Sequence, residues 1–238
     1  MLTLVDLIKI EVMETPRVKP SILDFLAALK NNNDRTWFED HKKQFKGEQA
    51  IAKTFFEHIF HLMNAHDELD AFKVFRIYRD VRFSKNKTPY KTHFSASFQR
   101  TKPKNRGGYY LHIEPGNSFL AAGFWGPSKE DLFRIRKEFE IDDAPMRKFL
   151  ASEAFTEVFN GLEGEELKTA PKGFDRDHEA IDLIRKKQFI LVKKFTDKQV
   201  TSASFSGEVD KSFRAVREWF DYMSEVLTTD LNGVSLLE

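Results

Sequence analysis

The chain has 238 residues, 41% hydrophobic and 32% charged, with 38 Lys and Arg against 37 Asp and Glu for a formal net charge of +1. This length and composition suit a globular protein that buries a substantial core without a disulfide or structural metal, and the near-zero charge argues against a broad nucleic-acid footprint. Cysteine is absent, which excludes disulfides, thiolate catalysis, iron–sulfur clusters and cysteine zinc sites and accords with a reducing, cytoplasmic location.

Residues 1–19 are expected to form an extension ahead of the domain. The opening Met1 to Lys9 has no basic n-region, and Asp6 and Lys9 interrupt its apolar run before signal-peptide length. Met13, followed by Glu14-Thr15-Pro16, is an alternative start. No stretch approaches the roughly 18 apolar residues of a membrane span. Pro20-Ser21-Ile22-Leu23-Asp24 is a helix entry with Ser21 as cap and Asp24 answering it, and Leu23, Leu26 and Leu29 supply its apolar side. A second helix from Asp34 carries Trp37, Phe38 and Phe45. A third, from Glu48 to about Asp67, repeats Ile51, Phe55, Ile59 and Leu62 at helical spacing.

From Lys73 the period becomes two. Phe75, Ile77, Val81 and Phe83 fall on one face and Arg76, Tyr78, Asp80 and Arg82 on the other, which predicts a half-buried strand. His93 to Gln99 is a second strand, and Tyr109–Ile113 with Phe119–Trp125 forms a hairpin across Glu114-Pro115-Gly116-Asn117. Ser128 and Asp131 then cap a helix bearing Leu132, Ile135 and Phe139. Helical pieces follow from Met146 to Phe159 and from His178 to Lys187, then a strand at Phe189–Phe195. Val200–Phe205 is a strand or a loop, and a long helix from Val209 to about Leu231 stops at Asn232-Gly233. This order predicts an α+β fold: an antiparallel sheet of roughly four to six strands in the centre of the chain, covered by N- and C-terminal helices, as a single domain over 20–238.

The charge is concentrated at one place. Between Arg76 and His93 lie six cations and a single carboxylate, a local charge of +5. Arg76 and Arg82 flank Asp80 on the polar face, and two guanidiniums beside a carboxylate make either a structural ion pair or a fork for a phosphate or carboxylate ligand. The loop beyond adds Ser84, Lys85, Lys87 and Lys91, with Pro89 stiffening it and Tyr90 either stacking on a ligand or anchoring the loop. Arg79 falls on the apolar face by strict alternation and so needs a partner. The expected ligand-binding residues are therefore Arg76, Arg82, Ser84, Lys85, Lys87, Tyr90 and Lys91.

Arg79-Asp80-Val81-Arg82-Phe83-Ser84-Lys85 followed by Lys87-Thr88-Pro89-Tyr90-Lys91-Thr92-His93 resembles the signature of an uncharacterised protein family of bacteria and fungi known as domain of unknown function 2461. Phe25-Leu26, Asn31-Asn32, Trp37-Phe38, Tyr109-Tyr110, Gly123, Trp125, Pro171-Lys172-Gly173-Phe174 and Asp177-His178 fit it too, so the resemblance spans about residues 20 to 228. It implies an α+β fold and carries no established activity.

Familiar catalytic patterns are missing. Ser84-Lys85-Asn86-Lys87 has the S-x-x-K spacing of penicillin-recognising acylases but lacks their companion motifs. No phosphate-cradling G-x-x-x-x-G-K loop and no dinucleotide G-x-G-x-x-G occurs. His58 and His61, with His66 nearby, share a helix without a further ligand, so no metal site and no cofactor are expected. Asp177 reads as a cap for the helix after it. Asp80, His93 and His112 are the candidate acid or base groups, the histidines because imidazole titrates near neutrality. Arg106-Gly107-Gly108-Tyr109-Tyr110 only faintly resembles an RNA-binding strand, since Gly108 stands where the first aromatic belongs. The expectation is a protein that binds a small phosphorylated or carboxylated ligand through 76–93, as a binding module or as an enzyme of unknown reaction. The alternative is a non-catalytic protein docking an acidic partner or nucleic acid through the same loop. No membrane partner is expected.

Overall fold

In the computed structural model, residues 15–237 are described. Most of the expected extension, residues 1–14, lies outside them, while Val18 is fully buried and is where the described core begins. Helix α1, Pro20–Asn31, starts with Pro20 in its first turn, where the missing N–H has no intrahelical partner to lose. Ser21 does not cap it. Its hydroxyl donates instead to Glu48 Oε2 at 2.9 Å, tying α1 to the next long helix. Asp34 caps the short α2, Arg35–Asp40, by accepting from the Trp37 N–H at 2.9 Å. Helix α3 then runs over Lys42–Met63.

The sheet has five strands, β1 Leu69–Val74, β2 Phe94–Arg100, β3 Gly108–Ile113, β4 Ser118–Phe124 and β5 Phe189–Phe195, in spatial order β1-β2-β3-β4-β5. Every neighbouring pair is antiparallel. The hairpin between β3 and β4 closes as expected, with Asn117 N donating to Glu114 O at 3.0 Å and Gly116 supplying the positive φ of the turn. Between β4 and β5 come α4 Lys129–Ile141, α5 Ala144–Leu150, α6 Glu153–Thr156 and α7 Ile181–Ile184. After β5 follow α8 Asp197–Val200, α9 Phe205–Arg214 and α10 Arg217–Thr228.

One face of the sheet carries the core. Phe94, Ala96 and Phe98 of β2, Tyr109, Leu111 and Ile113 of β3, and Leu120, Ala122 and Phe124 of β4 alternate inward and are buried. Helices α3, α9 and α10 cover them, through ring contacts such as Phe45 with Phe94, Phe98 with Phe213, Tyr109 with Phe220 and Phe124 with Trp219. The other face has no helix layer among these contacts, and of the candidates His112 lies there, with His93 at its edge. No helix among the described residues is long and apolar enough to cross a membrane.

Several expected elements differ in extent. The predicted strand over Phe75–Phe83 is not a strand: β1 ends at Val74, and the chain from 75 to 93 is an irregular hairpin-like loop bridged at Tyr78 and Tyr90. Phe83, expected on the buried face, is 97% exposed. The segment 146–159 breaks at Ala151, and the predicted 178–187 helix shrinks to α7. Asp177 does not cap α7, whose preceding residue is Ala180; His178 Nδ1 accepts from the Ala180 N–H at 3.1 Å instead. Val200 and Phe205 belong to α8 and α9, and the predicted C-terminal helix is two helices meeting at Ala215 and Val216.

Candidate functional site

The 75–93 loop is held by its own side chains. Arg79 donates from Nη1 to Thr88 O at 3.1 Å and to the Thr88 hydroxyl, and from Nη2 to Ser84 Oγ at 3.4 Å. Its backbone N–H reaches Pro89 O at 2.9 Å. The partner that a cation in this position requires is thus the opposite limb of the loop. Asn33 fixes the base of that limb by clamping Tyr90 in both directions, Nδ2 to Tyr90 O at 3.0 Å and Oδ1 from Tyr90 N at 3.1 Å. Tyr90 is buried and stacks on Phe38 with centroids 3.9 Å apart, so its ring anchors the loop.

The cations divide by partner. Arg82 grips Asp80 with two bonds of 3.0 and 2.7 Å, and this contact holds the Asp80 carboxyl below its usual range. Lys87 donates to Val81 O at 3.0 Å within the loop. Lys85 is exposed, and Ser84 serves Arg79. Arg76 and Lys91 have no ion pair among the described residues. Lys91 Nζ lies over the Phe75 ring at 5.3 Å, and burial together with the Arg76 charge pulls its pKa down.

Lys91 borders a second cluster, on the open face of the sheet. Phe94 and Ser95 pair with Ile113 and His112 in register, and side chains alternate across a strand, so His93, Ser95, Tyr110, His112 and Glu114 share the face opposite the core. The His93 and His112 ring centroids are 4.0 Å apart, and His112 stacks on Phe119 at 4.6 Å. Tyr110 OH lies 2.9 Å from His112 Nδ1, and His112 Nε2 lies 3.2 Å from Glu114 Oε2. Glu114 is fixed by Thr92 Oγ1, which donates to Oε1 at 2.6 Å, and by Asn117 Nδ2, which donates to Oε2 at 2.8 Å. Burial pushes His93 down to about 4, helped by His112 and the nearby Lys91. Burial also lowers His112, outweighing Glu114. Burial alone would raise Glu114, but the bonds from Thr92, Asn117 and His112 hold it below its usual value. Two neutral imidazoles beside an ionised carboxylate can accept protons or donate lone pairs.

His112 also lines a trough of about 880 Å³ running over β2 to β5. Its floor is low because small residues occupy the outward positions: Ser97, Gly108, Ala121 and Gly123. At Gly123, with φ +143°, an added Cβ would stand 2.0 Å from Phe189 O, so no side chain fits there. Phe119, Ile190 and Val192 line it further, and the 71% exposed Trp125 lies on its rim. No residue of the 76–93 segment, Lys91 and His93 included, is among the lining residues; these two reach the trough's border only through their proximity to His112. The structure thus separates the 76–93 set. Lys91 and His93 join His112, with Arg76 beside Lys91, whereas Asp80, Arg82, Ser84, Lys85 and Lys87 belong to the loop.

Tyr110 and Glu114 are the residues that sequence reasoning missed. The spacing Tyr110-x-His112-x-Glu114 places all three on one face of a strand, a signal hidden by assigning Glu114 to the turn. A second group was also missed. On the core side, Arg100 binds Asp67 at 3.0 Å, Asp221 at 2.8 Å and Ser224 Oγ at 3.1 Å, and Tyr109 OH donates to Asp67 Oδ2 at 2.5 Å. Arg217 also contacts Asp67. This cluster adjoins a polar cavity of about 620 Å³ between the end of α3 and α10.

A family model described as a conserved hypothetical protein, domain of unknown function 2461, matches residues 21–222. No curated protein and no solved structure matches the chain.

Proposed function

We propose that this chain, which belongs to the domain of unknown function 2461 family, binds a small ligand with an anionic group and an apolar body on the open face of its sheet. The anionic group sits at Lys91, Arg76 and His93, and the body lies along the trough over Phe119, Ala121 and Val192 toward Trp125. The observation that carries this reading is Lys91, a half-buried cation with no ion pair among the described residues, which has Arg76 beside it and lies close to His112, a lining residue of the trough. An unpaired cation that is partly withdrawn from water is stabilised by an anion, and a concave, mostly apolar site with a few convergent polar groups is the usual form of a small-molecule site. Arg82 is excluded from the binding group because Asp80 already satisfies it.

The test is a thermal-shift screen of aryl phosphates and aryl carboxylates on wild type, Lys91→Ala and Arg82→Ala. A ligand at about 100 times its Kd stabilises by about 2.7 kcal/mol, a rise of roughly 5–10 °C at this chain length. The shift is expected to vanish in Lys91→Ala and to persist in Arg82→Ala. A screen with no Lys91-dependent shift rejects the proposal.

Phe83 favours a second reading. It stands 97% exposed at the loop tip, beside Arg82, Lys85 and Lys87, and an aromatic ring among cations is a stacking platform for a single-stranded nucleic acid. Fluorescence anisotropy with a labelled oligonucleotide, in wild type and Phe83→Ala, decides it. Salt-sensitive binding weakened by the substitution supports this reading, and no binding at low salt removes it.

A further inference from the structure

We infer that His93, His112 and Glu114 form a binding site for one divalent transition ion of the zinc type, beside the trough that His112 lines. The inference does not depend on the anionic-ligand reading. One donor atom from each residue can be chosen so that all three lie within 4.8 Å of one another. Zinc holds nitrogen and oxygen donors at about 2.0–2.2 Å, which places tetrahedral donors roughly 3.3 Å apart. The His112 Nε2 to Glu114 Oε2 separation of 3.2 Å already matches one such edge. Only His93 has to approach, by at most about 1.5 Å on the same geometry, and it is the last residue before β2, at the end of the ladder.

The surroundings are those of a prepared ligand set. Metal-bound histidine usually has its second ring nitrogen hydrogen-bonded, and bound carboxylates are themselves held by hydrogen bonds. Here Tyr110 OH engages His112 Nδ1, and Thr92 and Asn117 hold the two Glu114 oxygens. Neutral His112 carries one proton. Without metal, Nε2–H donates to Glu114 and Tyr110 donates to Nδ1. With metal, the proton sits on Nδ1 and is donated to the Tyr110 oxygen, leaving the Nε2 lone pair for the ion. Tyr110 can then turn its hydroxyl hydrogen to Ser95, a side chain already within its hydrogen-bonding reach. Both forms are satisfied, and the exchange needs only a change of tautomer. Two imidazoles and one carboxylate select zinc, cobalt, nickel or iron over magnesium or calcium, which prefer oxygen donors. The sequence expectation of no metal rested on His58, His61 and His66. His66 instead pairs with Asp210 at 2.8 Å, and the set argued here comes from the residue before β2, from β3 and from the turn after it.

The experiment is titration of chelator-treated full-length chain with Zn2+ by calorimetry, and with Co2+ by visible absorption. Wild type is expected to bind one equivalent, with Co2+ giving the intense bands of a low-coordinate site. Glu114→Gln and His93→Ala should each weaken binding at least about 10-fold, and Tyr110→Phe about 10-fold to 100-fold. His58→Ala/His61→Ala should leave it unchanged. His93 is the more exposed histidine, so His93→Ala serves where His112→Ala does not fold. Lys91→Ala should abolish the anion-dependent thermal shift and keep Zn2+ binding, which separates failure of one proposal from failure of the other. No stoichiometric binding by wild type, or equal binding by His93→Ala and Glu114→Gln, overturns the site.

Discussion

At the scale of single residues, polar side chains that look available for ligands are often committed to the backbone. Asn33 satisfies both backbone groups of Tyr90, and leaving partly buried backbone groups unpaired costs about 1–3 kcal/mol each. Asn33→Ala is expected to lower stability by about 2 kcal/mol in urea unfolding, without touching the His112 cluster. A larger loss is expected where charge is buried. Asp67 lies between Arg100, Arg217 and Tyr109, with no side-chain exposure, and removing one partner of a buried pair costs about 3–5 kcal/mol. Asp67→Asn should approach that figure, measured by the same unfolding curves. Neither Asn33 nor Asp67 was legible as important. Their partners are 57 and 33 residues away, and polarity alone does not tell a solvated side chain from one that closes a distant backbone or a buried cation.

At the scale of elements, apolar periodicity located the layers and blurred their joints. Phe213, Val216 and Phe220 keep helical spacing through the break at Ala215 and Val216, because the pattern records which face is buried and not whether each carbonyl keeps its i+4 donor. Over 75–83 the opposite happened. The period of two continued while Arg79 turned to the other limb of the loop, so alternation outlasted the ladder it normally signals. The hairpin and β5 were legible, since a Pro-Gly turn and the apolar run Phe189-Ile190-Leu191-Val192 leave few alternatives. Between α5 and the start of α7, Arg147 grips Asp182 with bonds of 2.7 and 2.6 Å and also meets Asp143 at 2.9 Å. The Arg147 bond holds the Asp182 carboxyl below its usual value. A carboxyl lowered on folding stabilises above its unfolded pKa and loses that contribution as pH falls through its folded pKa. Asp182→Asn should therefore cost up to about 1 kcal/mol at neutral pH, since the pair is half exposed, and less at about pH 3, below the ordinary carboxyl value. Urea midpoints of wild type and variant at both pH values check this.

At the scale of the whole molecule, all the helices that pack on the sheet through the core contacts described do so on one face. The α+β order was readable from the chain, but the open trough was not, because it depends on which strands are neighbours and on small residues meeting across them, as Gly108 does opposite Gly123. Filling that floor separates shape from stability. Ala121→Trp is expected to keep the far-ultraviolet circular dichroism of the wild type, to lose about 1–3 kcal/mol if the ring strains its neighbours, and to abolish any Lys91-dependent ligand shift. A retained shift would place the ligand elsewhere.

The pairing of Ser95 with His112 carries a consequence for inheritance. Sliding β2 by one residue against β3 would turn His93 and Ser95 toward the helices and bring Phe94, Ala96 and Phe98 out to water. The hydrophobic side therefore acts as an alignment key for the polar side. As long as those three inward residues stay apolar, His93 faces the same way as His112 and Glu114, whatever happens to the outward residues around them. Substitutions on the outer surface can then change what the trough accepts without ever disturbing how its histidines meet.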